Sequence, residues 1–527
     1  MLIIWRRCRN EGPKHGYFDN THKIVVSFQR FITLTKIEEY MTIQLKDPSL
    51  FKTQAFICGQ WADSDKGETF SVYNPATGKL LAKVASVGLN ETRRAINGAQ
   101  TAMASWRELP AKTRCDILER WYNLVLENVE DLALLMTAEQ GKPLFESRGE
   151  IGYGASFIKW FAEAGKRVYG DTIPATSDRR SIAIKQPIGV VAAITPWNFP
   201  NAMIARKVAP ALAVGCPMVL KPAAETPLSA LALVELANRA GLPPGLFSVL
   251  PTNDAATVGA EMTSNIIVKK VTFTGSTQVG KLLMKQCADT VKRTSMELGG
   301  NAPIIVFDDA DLDIAVAGAL VSKYRNSGQT CICANRIIVQ EGIYDAFVKK
   351  FVAAVNKFNI GNGLDDNSSH GPVITSKAAI EIHSKVQSAI AEGATVATGG
   401  DFSELGECFY QPTVLTNVND KMRVFREEIF GPVAPIFKFT TEEEAISMAN
   451  DTQFGLAAYF YTEHMGRCWR VSEALEYGMV GVNETAISSE VIPFGGVKES
   501  GQGREGSKFG LDDYLEIKYI CMGGLQR

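Results

Sequence analysis

The chain has 527 residues, 46% apolar and 21% charged, with a formal net charge of −2. That length exceeds one simple core and points to about two to four domains. The balanced charge excludes a nucleic-acid or anionic-membrane partner held by a field of one sign, and the composition is that of a globular enzyme.

Ten cysteines are scattered without a C-x-x-C, and five histidines include no H-E-x-x-H. The thiols read as reduced in a cytoplasmic protein, and no metal site is expected. No apolar run approaches the ~20 residues that a membrane helix needs. The nearest, residues 202–220, is interrupted by Arg206, Lys207, Pro210 and Pro217, so no membrane partner is expected.

Residues 1–40 form a mildly basic segment without pattern, opening on Trp5-Arg6-Arg7-Cys8-Arg9. Its acidic residues Glu11, Asp19, Glu38 and Glu39 argue against a transit peptide. It reads as an extension, either disordered or lying upstream of a native start at Met41.

Apolar residues at three-to-four spacing predict helices over 91–106, 113–140 and 146–163. Residues 168–186 lack that period and read as an extended arm. Strand-like runs at 189–194, 217–220, 247–250 and 270–274 then alternate with helices at 229–240 and from Ser276. A second α/β unit follows, with strands at 303–307 and 336–339 and helices at 312–324, 347–358 and 377–392. This alternation implies an α/β fold with doubly wound sheets.

Several short stretches carry chemistry. Cys331 sits in Asn326-Ser327-Gly328-Gln329-Thr330-Cys331-Ile332-Cys333, in a predicted loop after a helix. A lone cysteine is usually apolar packing, but a thiol in such a loop can attack a carbonyl once it becomes a thiolate. About thirty residues upstream, Glu297 stands in Met296-Glu297-Leu298-Gly299-Gly300-Asn301, where a carboxylate can take a proton from water. Asn198 lies in Thr195-Pro196-Trp197-Asn198-Phe199-Pro200, directly after a strand. Lys221 ends another strand, where open α/β sheets bind ligands. In Phe273-Thr274-Gly275-Ser276-Thr277-Gln278-Val279-Gly280, a strand, a turn and a helix start follow one another, a setting for a pyrophosphate. Taken singly, each has a bland reading: Asn198 as a turn former, Lys221 as a solvated strand end, Glu428 as a surface charge.

Together the stretches resemble the catalytic signatures of the aldehyde dehydrogenases, from about residue 50 to the C-terminus. The resemblance implies a Rossmann-like cofactor domain over 41–167 and 187–299, and an α/β catalytic domain over 300–504. It also implies a small β oligomerisation arm over 168–186 and 505–527, which makes a homodimer or homotetramer. It makes Cys331 the nucleophile, Glu297 the general base, and Asn198 the donor to the thiohemiacetal oxyanion. Such a donor typically lowers a barrier by ~3–4 kcal/mol. It assigns Trp197, Lys221, Ala224, Gly275, Ser276, Leu298 and Glu428 to a nicotinamide cofactor.

Family members that prefer NAD commonly carry a Glu three residues after the Lys. That place holds Ala224, with Glu225 one later. NADP is therefore the expected cofactor, with NAD tolerated. The contexts of Arg325 and Arg167 resemble those of succinate-semialdehyde dehydrogenases, whose arginines clamp a carboxylate. Ser489 matches a third polar contact, with Ser488 the alternative alignment, and Phe494 a wall. The implied reaction is oxidation of succinate semialdehyde in 4-aminobutyrate breakdown, with glutarate semialdehyde the nearest rival. Cys333, two residues after Cys331, has two readings: a small packing residue or, as in some members of the family, a reversible disulfide partner.

Overall fold

The structure, a computed structural model, describes residues 41–525, so the reading of residues 1–40 lies outside the described residues. Its first sheet has eight strands. In spatial order they are Gln60–Ala62, Ala55–Ile57, Phe247–Val249, Met218–Lys221, Val190–Ile194, Val268–Thr274, Arg293–Glu297 and Gly501–Gln502. The five from Phe247–Val249 to Arg293–Glu297 run parallel. They are covered on both faces, and Val190–Ile194 is buried at every position, which is why it reads as one apolar run.

Of these five, Val190–Ile194 comes first along the chain. The chain then steps outward to Phe247–Val249 and returns to the other side with Val268–Thr274. That reversal opens a crevice beyond the carboxyl ends of Val190–Ile194 and Val268–Thr274, the usual ligand site of open α/β sheets.

The second sheet has seven strands, in the order Thr395–Thr398, Thr413–Thr416, Val433–Phe439, Ala334–Gln340, Ala302–Val306, Ala457–Tyr461 and Met479–Val482. All its pairings are parallel except the first. Gly501–Gln502, expected in the catalytic unit, pairs instead with Met296 and Glu297 and so belongs to the first sheet.

The helix expected over 312–324 runs Leu312–Tyr324. The single helix expected over 113–140 is two helices, Ala111–Glu127 and Val129–Gln140. Asn128 breaks the run at φ −110°, ψ 20°, and its Nδ2 donates to the Leu124 carbonyl at 2.8 Å. Both pieces pack on the helix Leu144–Ala164, so the apolar period continues across the break.

The apolar run 202–220 contains the helix Ala202–Val214, buried at all 13 positions. Among the described residues no helix is long and apolar enough to cross a membrane. Residues 168–186 contain Asp171–Ile173 and most of Arg180–Pro187, which join Leu515–Met522 in a three-stranded antiparallel sheet. Its longest pairing runs from Leu515↔Pro187 to Met522↔Arg180.

Trp121 anchors the core beside the first sheet. It is 1% exposed, and its Nε1 donates to the Leu233 carbonyl at 3.1 Å. Trp121→Ala should destabilise the fold by about 3–5 kcal/mol, read as an earlier urea midpoint. An unchanged midpoint would contradict this packing.

Candidate active site

Five chain segments converge on one cavity of about 250 Å³, lined among others by Trp197, Asn198, Gly275, Ser276, Glu297, Leu298, Cys331 and Glu428. Trp197 and Asn198 follow the central strand of the first sheet. Gly275 and Ser276 follow the strand Val268–Thr274, and the Ser276 hydroxyl caps the helix Thr277–Ala288 by accepting from Val279 N. Glu297 ends the strand Arg293–Glu297, and Cys331 precedes the strand Ala334–Gln340 of the second sheet.

The loop that carries Cys331 is held in a demanding backbone shape. Asn326 and Ser327 adopt left-handed φ values of 51° and 54°, and Gly328 has φ 74°. A Cβ on Gly328 would lie 2.2 Å from the Gly431 carbonyl oxygen. Non-glycine residues in that region cost about 1–3 kcal/mol each, offset here by side-chain hydrogen bonds. Asn326 Nδ2 donates to the Asn198 carbonyl at 2.9 Å, and its Oδ1 accepts from Gln140 Nε2 at 2.9 Å. Gln329 Oε1 accepts from Ile374 N at 2.8 Å. Asn198 Nδ2 donates one proton to the Gln329 carbonyl at 3.0 Å, leaving a second to donate.

The Glu297 and Cys331 segments touch through Gly300. A Cβ there would lie 2.3 Å from the Cys331 carbonyl oxygen, and one on Gly299 would lie 2.7 Å from Glu428 Oε2. Gly300 N donates to Glu428 Oε1 at 3.0 Å. These glycines let two sheets, a carboxylate and a sulfur share one point.

Burial dominates the electrostatics. It pushes the Cys331 thiol up to about 12; Arg206 pulls it back, while Glu297 and Glu428 push it further. Burial and the Glu505 carboxylate hold Glu297 well above the usual carboxylate range, against Arg206, Lys207 and Arg504. Glu297 Oε2 has no hydrogen-bond partner. Burial raises Glu428 to about 7. Burial opposes ionisation of Glu505, but Arg206 and Lys207 outweigh it and lower its pKa. Cys331, Glu297 and Glu428 are thus all biased toward their neutral forms, while Glu505 stays ionised between its two cations.

The remaining expected residues fall into two groups. Lys221 is buried beside the crevice, in register with Ile194, and donates to the Pro222 carbonyl at 3.0 Å. Burial lowers its pKa and Glu225 pulls it back. Ala224 is half-buried and Glu225 exposed. Arg325 lines a neighbouring cavity of about 330 Å³ with Tyr153, Phe199 and Ser488. Phe199 borders both cavities, and the Arg325 guanidinium lies 4.9 Å from its ring centre.

Arg167 is a correction. It is exposed, donates to the Glu163 carbonyl at 2.8 Å, and lines a separate cavity with Lys185 and Lys508. It ends the short 3-10 turn Gly165–Arg167, after which the chain leaves for the arm, so it does not meet Arg325. Of the two aligned serines, Ser488 rather than Ser489 is found beside Arg325. Ser488 lines the Arg325 cavity, its Oγ 2.5 Å from the Tyr153 hydroxyl. Cys333 is buried and free, its thiol donating to the Lys323 carbonyl at 3.4 Å; Cys331 is also free.

Arg206 acts electrostatically on Cys331 and was not singled out as a site residue by the sequence. It is 1% exposed, with its Nε 2.5 Å from Glu505 Oε2 and its guanidinium 4.1 Å from the Phe494 ring centre. Its Nη2 has no hydrogen-bond partner. The signal was an Arg-Lys pair inside a run too apolar to face water, which demands a buried counter-charge. Among the described residues no cluster of His, Cys, Asp or Glu could hold a metal ion.

The model of the aldehyde dehydrogenase family matches residues 61–520. The chain is 59% identical over 484 residues to the glutarate-semialdehyde dehydrogenase of Pseudomonas aeruginosa, covering 92% of this chain and 100% of that protein. It is 58% identical over 482 residues to the NADP(+) succinate-semialdehyde dehydrogenase of Escherichia coli, covering 91% and 100%. The crystal structure of succinate-semialdehyde dehydrogenase from Burkholderia pseudomallei matches with a TM-score of 0.90 at 57% identity, covering 91% and 100%.

The burial of Cys331 sets how it meets an alkylating agent. In cofactor-free protein its reaction with iodoacetamide should keep accelerating as pH rises, because only the thiolate attacks. Arg206→Met should slow it further. A plateau below about pH 8 would show a thiolate already stabilised at rest.

Proposed function

Because the chain belongs to the aldehyde dehydrogenase family, we propose that its substrate is a short aldehyde with a terminal carboxylate. Succinate semialdehyde is the first choice, with NADP the preferred hydride acceptor and NAD accepted. The observation that carries this reading is the pair of guanidinium groups beside the nucleophile. Arg325 sits with the Tyr153 and Ser488 hydroxyls in the adjoining cavity. Arg206, buried among Glu505, Phe494 and Phe157, bears on Cys331 itself. A guanidinium binds a carboxylate by paired charge-assisted hydrogen bonds.

The chemistry then follows from residue positions. Cys331, as thiolate, attacks the aldehyde carbon and makes a thiohemiacetal. The second Nδ2 proton of Asn198 and the Cys331 N–H hold the oxyanion. A nicotinamide held by Glu428 and the Gly275-Ser276 turn would supply the hydride acceptor. The carbon left on Cys331 is a thioester. Glu297 takes a proton from water, the hydroxide attacks the thioester, and the acid leaves as the thiol re-forms. A base with a raised pKa suits this work, since it takes a proton readily near neutral pH and returns it to solvent.

The crevice residues fit the cofactor. The capped start of the helix Thr277–Ala288 suits a pyrophosphate, and Glu428 and Lys221 suit the two riboses. Ala224 leaves no carboxylate at the place that would repel a 2′-phosphate. The arm sheet exposes Ile517 and Tyr519, apolar area suited to a second copy of the chain. Cys333 would pair with Cys331 only after its thiol leaves the Lys323 carbonyl. Glutarate semialdehyde is the second reading, favoured by the Pseudomonas aeruginosa relative. One methylene changes discrimination by only ~1–3 kcal/mol.

Two measurements test this. Across three- to six-carbon aldehydes with and without a terminal carboxylate, Arg325→Leu should raise KM for the charged series about 10- to 100-fold. Neutral aldehydes should change little; equal efficiency on both series in the parent enzyme sinks the carboxylate reading. For the cofactor, kcat/KM should favour NADP, and Glu225→Gln should widen the margin. A preference for NAD of about tenfold or more would overturn the NADP assignment.

A further inference from the structure

One buried ion pair lies outside every role given so far. Lys142 is 1% exposed, at the turn after the helix Val129–Gln140. Its Nζ donates to Glu150 Oε2 at 2.5 Å and to the backbone carbonyl of Asn198 at 2.8 Å. It also lies 4.0 Å from the Phe199 ring centre. The other oxygen of Glu150 accepts from Asn201 N at 2.9 Å and Ala202 N at 3.2 Å, at the start of the helix that carries Arg206. Lys142 therefore grips residue 198 from one side and Glu150 grips residues 201 and 202 from the other. The loop between strand and helix has no freedom to slide.

The same short segment holds the nucleophile loop. Gln140 Nε2 donates to Asn326 Oδ1, and Asn326 N donates to Glu146 Oε2 at 3.0 Å. Both donors to the thiohemiacetal oxygen are thus mounted on one bracket, residues 140–150.

We propose that Lys142, locked by Glu150, is a positioning residue for the oxyanion donor Asn198. Apolar side chains of similar volume in place of the whole pair would avoid its desolvation cost, whereas removing Lys142 alone leaves Glu150 buried without its counter-charge. The ammonium provides a strong, directional bond to one carbonyl in a water-poor site. It fixes where the Asn198 side chain starts, hence where its second Nδ2 proton points. A displacement of an ångström in such a donor is enough to lose about a hundredfold in rate.

This inference rests on Asn198 being the oxyanion donor, and a double-mutant cycle separates the two claims. Lys142→Met should lower kcat about 10- to 100-fold in the parent, with KM and cofactor binding nearly unchanged. The rate at which iodoacetamide modifies Cys331 should also hold, because alkylation needs no oxyanion donor. In an Asn198→Ala background the same change should cost less than about twofold. Glu150→Gln keeps the side-chain size and its acceptor for the loop amides, and should reproduce the effect more weakly. It serves as the second route where Lys142→Met does not fold.

An equal loss in both backgrounds overturns the positioning role, as does an unchanged kcat in both variants. If Asn198→Ala itself leaves kcat intact, the oxyanion assignment falls and this inference falls with it.

Discussion

The arrangement depends on satisfying two cations buried in one helix. Ala202–Val214 is enclosed on every side, yet it carries Arg206 and Lys207. Both meet Glu505, which arrives from nearly three hundred residues later. Breaking such a pair leaves an uncompensated buried charge and costs about 3–5 kcal/mol. The helix therefore cannot rotate, and its first residues stay where Glu150 meets them. The segment around Glu505 is tied down in turn. It brings Gly495 close to Glu297, since a Cβ on Gly495 would lie 3.0 Å from Glu297 Oε1. Held there, Glu505 raises the Glu297 pKa further while remaining ionised itself.

The same charges set the resting state of the site. Cys331 and Glu297 are both biased toward their protonated forms, and Glu428 sits near neutrality. A protonated thiol is a poor nucleophile and a poor target for oxidants. Among the described residues, Arg206 is the cation that acts on Cys331, and it favours the thiolate. Burial and the two neighbouring carboxylates hold the sulfur protonated at rest, and Arg206 works against them.

Much of this was legible in the sequence because it is local. Cys331, Glu297, Asn198 and the turn at Gly275-Ser276 each announce themselves through neighbours within a few residues. The βα alternation also reads locally, because strands covered on both faces are continuous apolar runs. What stayed hidden depends on distant partners. Arg206 reads as a break in an apolar run until Glu505 is placed beside it. Arg167 reads like a ligand from its neighbours, but the chain turns away after it. Ser488 and Ser489 differ by one residue, and only the loop geometry separates them. Asn128 ends a helix without disturbing its apolar period, and Gly501–Gln502 joins its sheet through Met296 and Glu297, two hundred residues upstream.

Phe199 stands as a partition between the chamber of the sulfur and the chamber of Arg325. Arg325 and Cys331 belong to one short loop, braced at Asn326 and Gln329, so the span between them is rigid. With Arg325 as the carboxylate clamp proposed above, the site works as a calliper whose jaws do not open. A longer molecule is admitted by the tilt of one ring or by folding of its own chain. Evolving this scaffold toward other lengths is accordingly a matter of trimming the partition, while the jaws stay as they are.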